Sequence, residues 1–260
     1  MSGIYALPAG LRRVFLGRDE TQLHAFMRGT LKPEELTLLM SELLKGETLV
    51  GEDKEGELLR VVCVAKPIIL DAACGELLVE LMHTKMGSAS EGLKIKATGM
   101  SEKFNPLKES SRQACARALQ EELGFAEAAA EMFCGKCMTQ VESAPSDKYA
   151  GLKSQYHLHM HMLKPSVVDE LLTGRVPRGQ LTRVDEADAL QPRSIWWIWI
   201  APRSEHEIND HVRRLSAAAG VPSDALPLDK LDKFGKSPAG TMMVQMDLAS
   251  SYLEYLMSLQ

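Results

Sequence analysis

The chain has 260 residues, 45% of them apolar, and 30 Lys and Arg against 35 Asp and Glu, a net charge of −5. That balance supports a buried core and excludes global disorder, collagen-like repeats and low-complexity sequence. An acidic chain with a pI near 5.9 is not built as a whole to coat DNA or anionic lipid. Five cysteines, an odd count, point to reduced thiols rather than a disulfide framework.

The N-terminus carries no apolar secretory stretch. Arg12, Arg13 and Arg18 precede the first acid, Asp19, which leaves organelle import as the alternative to a cytoplasmic location. The most hydrophobic run, Ile195 to Ile200, is far short of the roughly 20 residues of a membrane helix, so no membrane association is expected. Pro33 suits a first helical position, and Leu36, Leu39, Met40 and Leu43 follow at helical spacing before Gly46, which predicts a helix. Gly51 to Gly56 reads as a turn. Leu58 to Val64 and Glu76 to Met82 read as strands, and 86–106, with Gly87, Gly92, Gly99 and Pro106, as a long loop.

Residues 107–123 then form a helix closed by Gly124. Met132 to Val141 and Ser154 to Leu163 are strand candidates. The second alternates, with Tyr156, Leu158, Met160 and Met162 on one side and His157, His159 and His161 on the other. A short helix is expected at 165–173, a buried strand at Ile195 to Ile200, and a helix from Ser204 to about Ala219. Residues 220–240 read as irregular, and a closing amphipathic helix carries Leu248, Tyr252, Leu256 and Leu259. The expected fold class is α/β or α+β. A core at 58–202 lies between helical extensions at 1–57 and 203–260.

The segment that carries chemistry runs from Glu109 to Phe125. Arg117 and Glu121 stand four apart and can pair on a helix surface. Glu121 and Glu122 sit near the helix C-terminus, where the macrodipole disfavours negative charge. Two acids there invite a compensating cation, and a hard divalent ion is the natural candidate.

The spacing resembles the box of the Nudix hydrolases: Glu109, seven residues, Arg117, then Leu119, Glu121, Glu122, Gly124 and Phe125. The resemblance implies a mixed sheet sandwiched by helices. It also implies Mg²⁺ or Mn²⁺ held by Glu121 and Glu122, Arg117 orienting the acids, and Glu109 holding the loop. The expected partner is a nucleoside diphosphate derivative or the 5′ end of an RNA, and the expected reaction is pyrophosphate hydrolysis by water. Two positions depart from the pattern. Lys103 stands where the box opens with Gly, the nearest upstream glycine being Gly99, and Ala118 replaces the Glu that follows the Arg. A methyl group neither binds a cation nor takes a proton, so the resemblance allows a weakened hydrolase in which Glu142 or Glu186 substitutes as base. It equally allows an inactive Nudix-fold binding or assembly subunit that meets protein partners through its extensions.

Other constellations read more plainly. Cys134 and Cys137 have the spacing of half a zinc site, which His157 and His159 could complete, but a strand would point the two thiols to opposite faces, so buried or half-buried thiols are expected. The His157, His159 and His161 face reads as the polar side of a half-covered strand. Trp196, Trp197 and Trp199 read as core packing rather than a base-stacking platform. Met242, Met243 and Met246 read likewise as packing. Gly235-Lys236-Ser237 lacks the upstream Gly of a P-loop, since Lys230 holds that place.

Overall fold

The computed structural model describes residues 13–15, 31–71, 73–85, 93–125, 130–134, 137–146, 148–149, 151–185, 193–201, 205–218 and 220. Those residues form a mixed α and β protein with two sheets. The Met-bearing segment, the closing helix and Gly235 to Ser237 lie outside them, as does Glu186. No helix among the described residues is long and apolar enough to cross a membrane. Chain contacts divide the molecule into two compact units, 1–66, 101–115 and 137–160 against 67–100, 116–136 and 161–260.

The first unit is built on β1 (Arg13–Phe15), β2 (Leu49–Glu52), β3 (Leu58–Ile68), β7 (Glu102–Phe104), β8 (Met138–Pro145) and β9 (Lys153–Met162). Their order is β1-β2-β3-β9-β8, with β7 also on β3. Helix α1 (Pro33–Lys45) begins as expected: Pro33 occupies the first turn, and the Lys32 amide donates to Glu35 Oε2 at 2.9 Å. It ends at Gly46, whose φ of 78° admits a left-handed turn; a Cβ there would also stand 3.2 Å from Asn105 Nδ2. Leu39 and Met40 pack against Val50, Tyr149 and Leu152. The segment read as a helical extension thus contributes a helix and two strands, β1 and β2, and Gly51 and Glu52 of β2 pair with Leu59 and Leu58 where a turn was expected.

The second unit is built on β4 (Leu70–Asp71), β5 (Glu76–Lys85), β6 (Leu93–Thr98), β10 (Thr182–Asp185) and β11 (Arg193–Ile200). The order is β10-β11-β5-β4, with β6 also on β5. Leu77 to Met82 and Trp197 to Ile200 are buried throughout, which is why β11 reads as an apolar run and β5 as one interrupted only by Glu80. The helices are α2 (Ser111–Leu123), α3 (Pro165–Gly174) and α4 (Glu205–Ala218), close to their predicted spans; α2 is shared by the two units. The expected long loop instead contains β6 and β7. Residues 130–134 form a short 3₁₀ turn and an isolated bridge from Phe133 to Leu163, so the predicted strand from Met132 starts only at Met138.

One charge cluster organises the first unit. Glu42 is 5% exposed and Arg60 is 3% exposed. The Arg60 Nη2 and Nε groups donate to Glu42 Oε2 at 2.6 and 3.2 Å, and Lys148 Nζ reaches Oε1 at 3.2 Å. Arg60 also lies over the Tyr149 ring, 5.2 Å from its centroid. Burial pushes the Glu42 carboxyl up, but the hydrogen bond and charge of Arg60, with Lys148 and Lys103, overcome it, so its pKa falls below the ordinary 4.5. A carboxyl with a depressed folded-state pKa stabilises the fold above its unfolded value, and that stability disappears as the pH falls through the folded one. Unfolding free energy measured against pH should therefore fall from about pH 4.5 downward, with a shallower slope in Glu42→Gln. Removing the guanidinium in Arg60→Leu should cost about 3–5 kcal/mol at neutral pH in urea unfolding.

Candidate functional site

The box helix α2 starts from a reciprocal cap. Ser110 N–H and Oγ donate to Gln113 Oε1, both at 2.9 Å, and the Gln113 amide donates back to Ser110 Oγ at 3.3 Å. It ends at Gly124, with φ 66°, whose amide donates to Gln120 O at 3.0 Å. Along the helix Ala114, Cys115, Ala118, Leu119, Glu122 and Leu123 are buried, while Gln113, Gln120 and Glu121 are exposed. Adjacent helical positions point about 100° apart, and this separates the two acids that the sequence reading held together.

Glu121 lies on the exposed side, where its Oε1 stands 4.0 Å from Arg117 Nη1, the predicted surface pair. Glu122 lies on the buried stripe with a side chain only 4% exposed, and Arg193 Nη2 of β11 donates to its Oε1 at 3.3 Å. Ala118, four residues earlier, is 0% exposed. Arg175, just after α3, donates to the carbonyl oxygen of Leu123 at 2.7 Å and to that of Gly124, and its guanidinium lies 4.7 Å from the Phe125 centroid. The cation that the acidic helix end invites is present in the chain itself, as three arginines: 117, 175 and 193. What the box offers a divalent ion is one outward carboxylate, one inward carboxylate already on a guanidinium, and no oxygen at 118, a donor set that fits a Mg²⁺ cage poorly.

Glu109 lies in the first unit, partly buried, after a turn in which its amide donates to Asn105 O at 3.0 Å. Lys103, at the place of the box's opening Gly, sits in β7 opposite Val64 and pairs with Glu47 at 3.3 Å. Glu142 is exposed on β8 and accepts from Gln140 at 3.1 Å. A cavity of about 400 Å³ in the first unit is lined by Ser143, Pro145, Ser146, Gly151, Leu152 and Lys153; none of the box residues borders it.

The β9 histidines are not a solvated face. His157 is 4% and His161 2% exposed, and His159 is half-buried against the edge of Phe104, with ring centroids 5.3 Å apart. Burial pushes the His157 and His159 pKa values down, His159 further through the charge of His157. Cys137 Sγ stands 3.9 Å from His159 Nδ1, while Cys134 donates to Leu163 O at 3.5 Å. No group of three or more His, Cys, Asp or Glu among the described residues is placed to hold a metal. The tryptophans pack as expected: Trp197 is 0% and Trp199 2% exposed, Trp199 Nε1 donates to Val176 O at 2.7 Å, and Arg183 lies over Trp196.

One constellation was invisible in the sequence. Glu80 is 0% exposed, and its Oε1 stands 2.7 Å from His83 Nδ1. In a regular strand, residues three apart face opposite ways. Here Met82 pairs with Trp196 and Glu80 with Trp197, so Leu81 is an extra residue, a β-bulge that brings 80 and 83 to one face. Thr182 and Glu80 pair with Trp197 from its two sides, and Thr182 Oγ1 and Trp197 Nε1 are buried without hydrogen-bond partners. A carboxylate-backed imidazole can take up and return a proton. Neither the known protein families nor the curated proteins match the chain.

The two acids of the box should respond differently to mutation. Arg193→Ala removes the guanidinium from a buried carboxylate and should cost about 3 kcal/mol in urea unfolding, whereas Glu121→Gln should change stability by less than about 0.5 kcal/mol. Equal effects of the two substitutions would contradict this division of the helix.

Proposed function

We propose that the chain is a Nudix-like protein whose box has become a structural element, and that it works as a binding or assembly subunit rather than as a hydrolase. The observation that carries this reading is the Glu122–Arg193 pair: the carboxylate that a hydrolase would present to a metal is buried and bonded to a guanidinium at 3.3 Å. The resemblance itself rests on the spacing from Glu109 to Phe125 and on the placing of that segment as a loop and helix between strands.

Three features support the loss of hydrolysis. Glu121 faces away from Glu122 and is engaged by Arg117. Ala118 is sealed in the core, where a Glu would have to bury a carboxylate. Metal-assisted phosphoryl chemistry needs the cation to neutralise growing charge and activate water, and a site reduced to one outward acid supplies little of either. The binding partner belongs to the same proposal, as a nucleotide-type molecule, an RNA 5′ end or a protein met through the terminal segments.

The test is turnover. The purified chain with Mg²⁺ or Mn²⁺ should hydrolyse no member of a panel of nucleotide-linked diphosphates and 5′-triphosphorylated RNA. Ala118→Glu should not restore activity and should lower the unfolding midpoint. Metal-dependent turnover by the unmodified chain, raised further by Ala118→Glu, would establish the pyrophosphohydrolase reading instead.

A further inference from the structure

We propose that Cys137 and His159 form a two-ligand site for a soft d¹⁰ cation of the cuprous class. The pair arises from the register of the first sheet. Thr139 pairs with His159 across β8 and β9, and Cys137, two residues before Thr139, shares its face and stands diagonal to the imidazole. Sγ and Nδ1 are 3.9 Å apart. Bonds of zinc-like length, about 2.3 Å to sulfur and about 2.0 Å to nitrogen, place the two donors about 3.5 Å apart at a tetrahedral angle and about 4.3 Å apart on a line. The observed separation lies inside that range at a wide angle, so one ion can bridge the pair without moving either backbone.

The surroundings fit a soft ion of low coordination number. Thiolate sulfur selects Cu(I) and zinc over hard cations. Zinc sites take at least three protein ligands, and no third His, Cys, Asp or Glu joins this pair among the described residues. A cuprous ion is satisfied by two. Both residues are half-buried rather than sealed, which leaves a path for entry. Phe104 lies against the imidazole and lowers the local polarity. A neutral imidazole offers a metal one ring-nitrogen lone pair, and here Nδ1 is the nitrogen that faces the sulfur. Burial also raises the Cys137 thiol, against hydrogen bonds from Thr139 and Ser111 and the charge of Arg112 that favour the thiolate. Binding therefore expels the thiol proton: the S–H bond breaks, the S–metal bond forms, and one proton leaves to solvent for each ion bound. The tautomer required carries its hydrogen on Nε2 and turns the Nδ1 lone pair to sulfur. Among the other cysteines, 63 and 115 are buried and 74 is exposed; none has a His ring nitrogen at this distance among the contacts of the described residues.

The experiment is an anaerobic titration of the full chain with Cu(I) against a chromophoric cuprous chelator. One equivalent should bind, with affinity rising as the pH rises. Cys137→Ser and His159→Gln should each weaken binding by about a hundredfold or more, and Cys74→Ser should leave it unchanged. Should either ligand variant misfold, iodoacetamide mapping of the unmodified chain decides: one equivalent of Cu(I) should protect Cys137 from alkylation. Binding undisturbed by Cys137→Ser or His159→Gln, no protection of Cys137, or loss of binding in Cys74→Ser would overturn the site. Zinc bound as tightly as Cu(I) would overturn the cuprous assignment.

Discussion

A carboxylate taken out of water must be given a cation, and the chain meets that constraint with arginine in both of its units. Glu42 is closed by Arg60 at 2.6 Å in the first, and Glu122 by Arg193 at 3.3 Å in the second. A guanidinium keeps its charge at any pH a protein survives and offers donors in a fixed fork. A buried acid matched to one is held in a single orientation and is not available to a ligand. The same logic applies to the end of α2, where Arg175 caps carbonyls that carry the negative end of the helix dipole. Arginines from widely separated parts of the chain thus do locally what a bound ion would do in a metalloenzyme.

This arrangement follows from helix geometry as much as from electrostatics. A stripe of Ala114, Cys115, Ala118, Leu119, Glu122 and Leu123 is buried, its adjacent pairs recurring every four residues, about one helical turn. Glu122 falls on the stripe and Glu121 does not. An acid on a buried stripe is tolerated only where a partner reaches it, which makes the position of β11, and of Arg193 at its start, a condition for α2 to pack as it does. The acid that is absent, at 118, belongs to the same stripe, and its replacement by alanine allows close packing where a second buried charge would have needed a second partner.

Much of the architecture was legible in the sequence. Pro33 and Gly46 bounded α1, Gly124 closed α2, whose start at Ser111 lies four residues after the expected one, and the alternation of Tyr156 to Met162 marked β9, because each signal depends on neighbours a few residues away. The misreadings share a different cause. β6 and β7 lie in a glycine-bearing stretch whose strand character comes from pairing with β5 and β3, not from local composition. The β9 histidines were read as solvated because alternation reveals faces but not what covers them. Arg193 is separated from Glu122 by 71 residues, and no spacing rule joins them. The Glu80–His83 pair was hidden by the bulge at Leu81, since period-2 reasoning assigns those residues to opposite faces.

On the proposed Nudix-like reading, the Glu122–Arg193 pair also explains why Ala118→Glu alone is not expected to build a hydrolase. A metal site requires its acids to be deprotonated, convergent and open to water and substrate. Glu122, buried and bonded to Arg193, fails the last. Taking Arg193 away would not open the site; it would leave a charge in the interior, which destabilises the fold rather than recruiting an ion from water. Building such a site here would need Ala118 changed to an acid, Arg193 withdrawn and the buried stripe repacked together, and each of those steps alone is unfavourable. On the proposed reading, such a helix is held by its packing, and stability alone is enough to maintain its pattern without any hydrolytic chemistry.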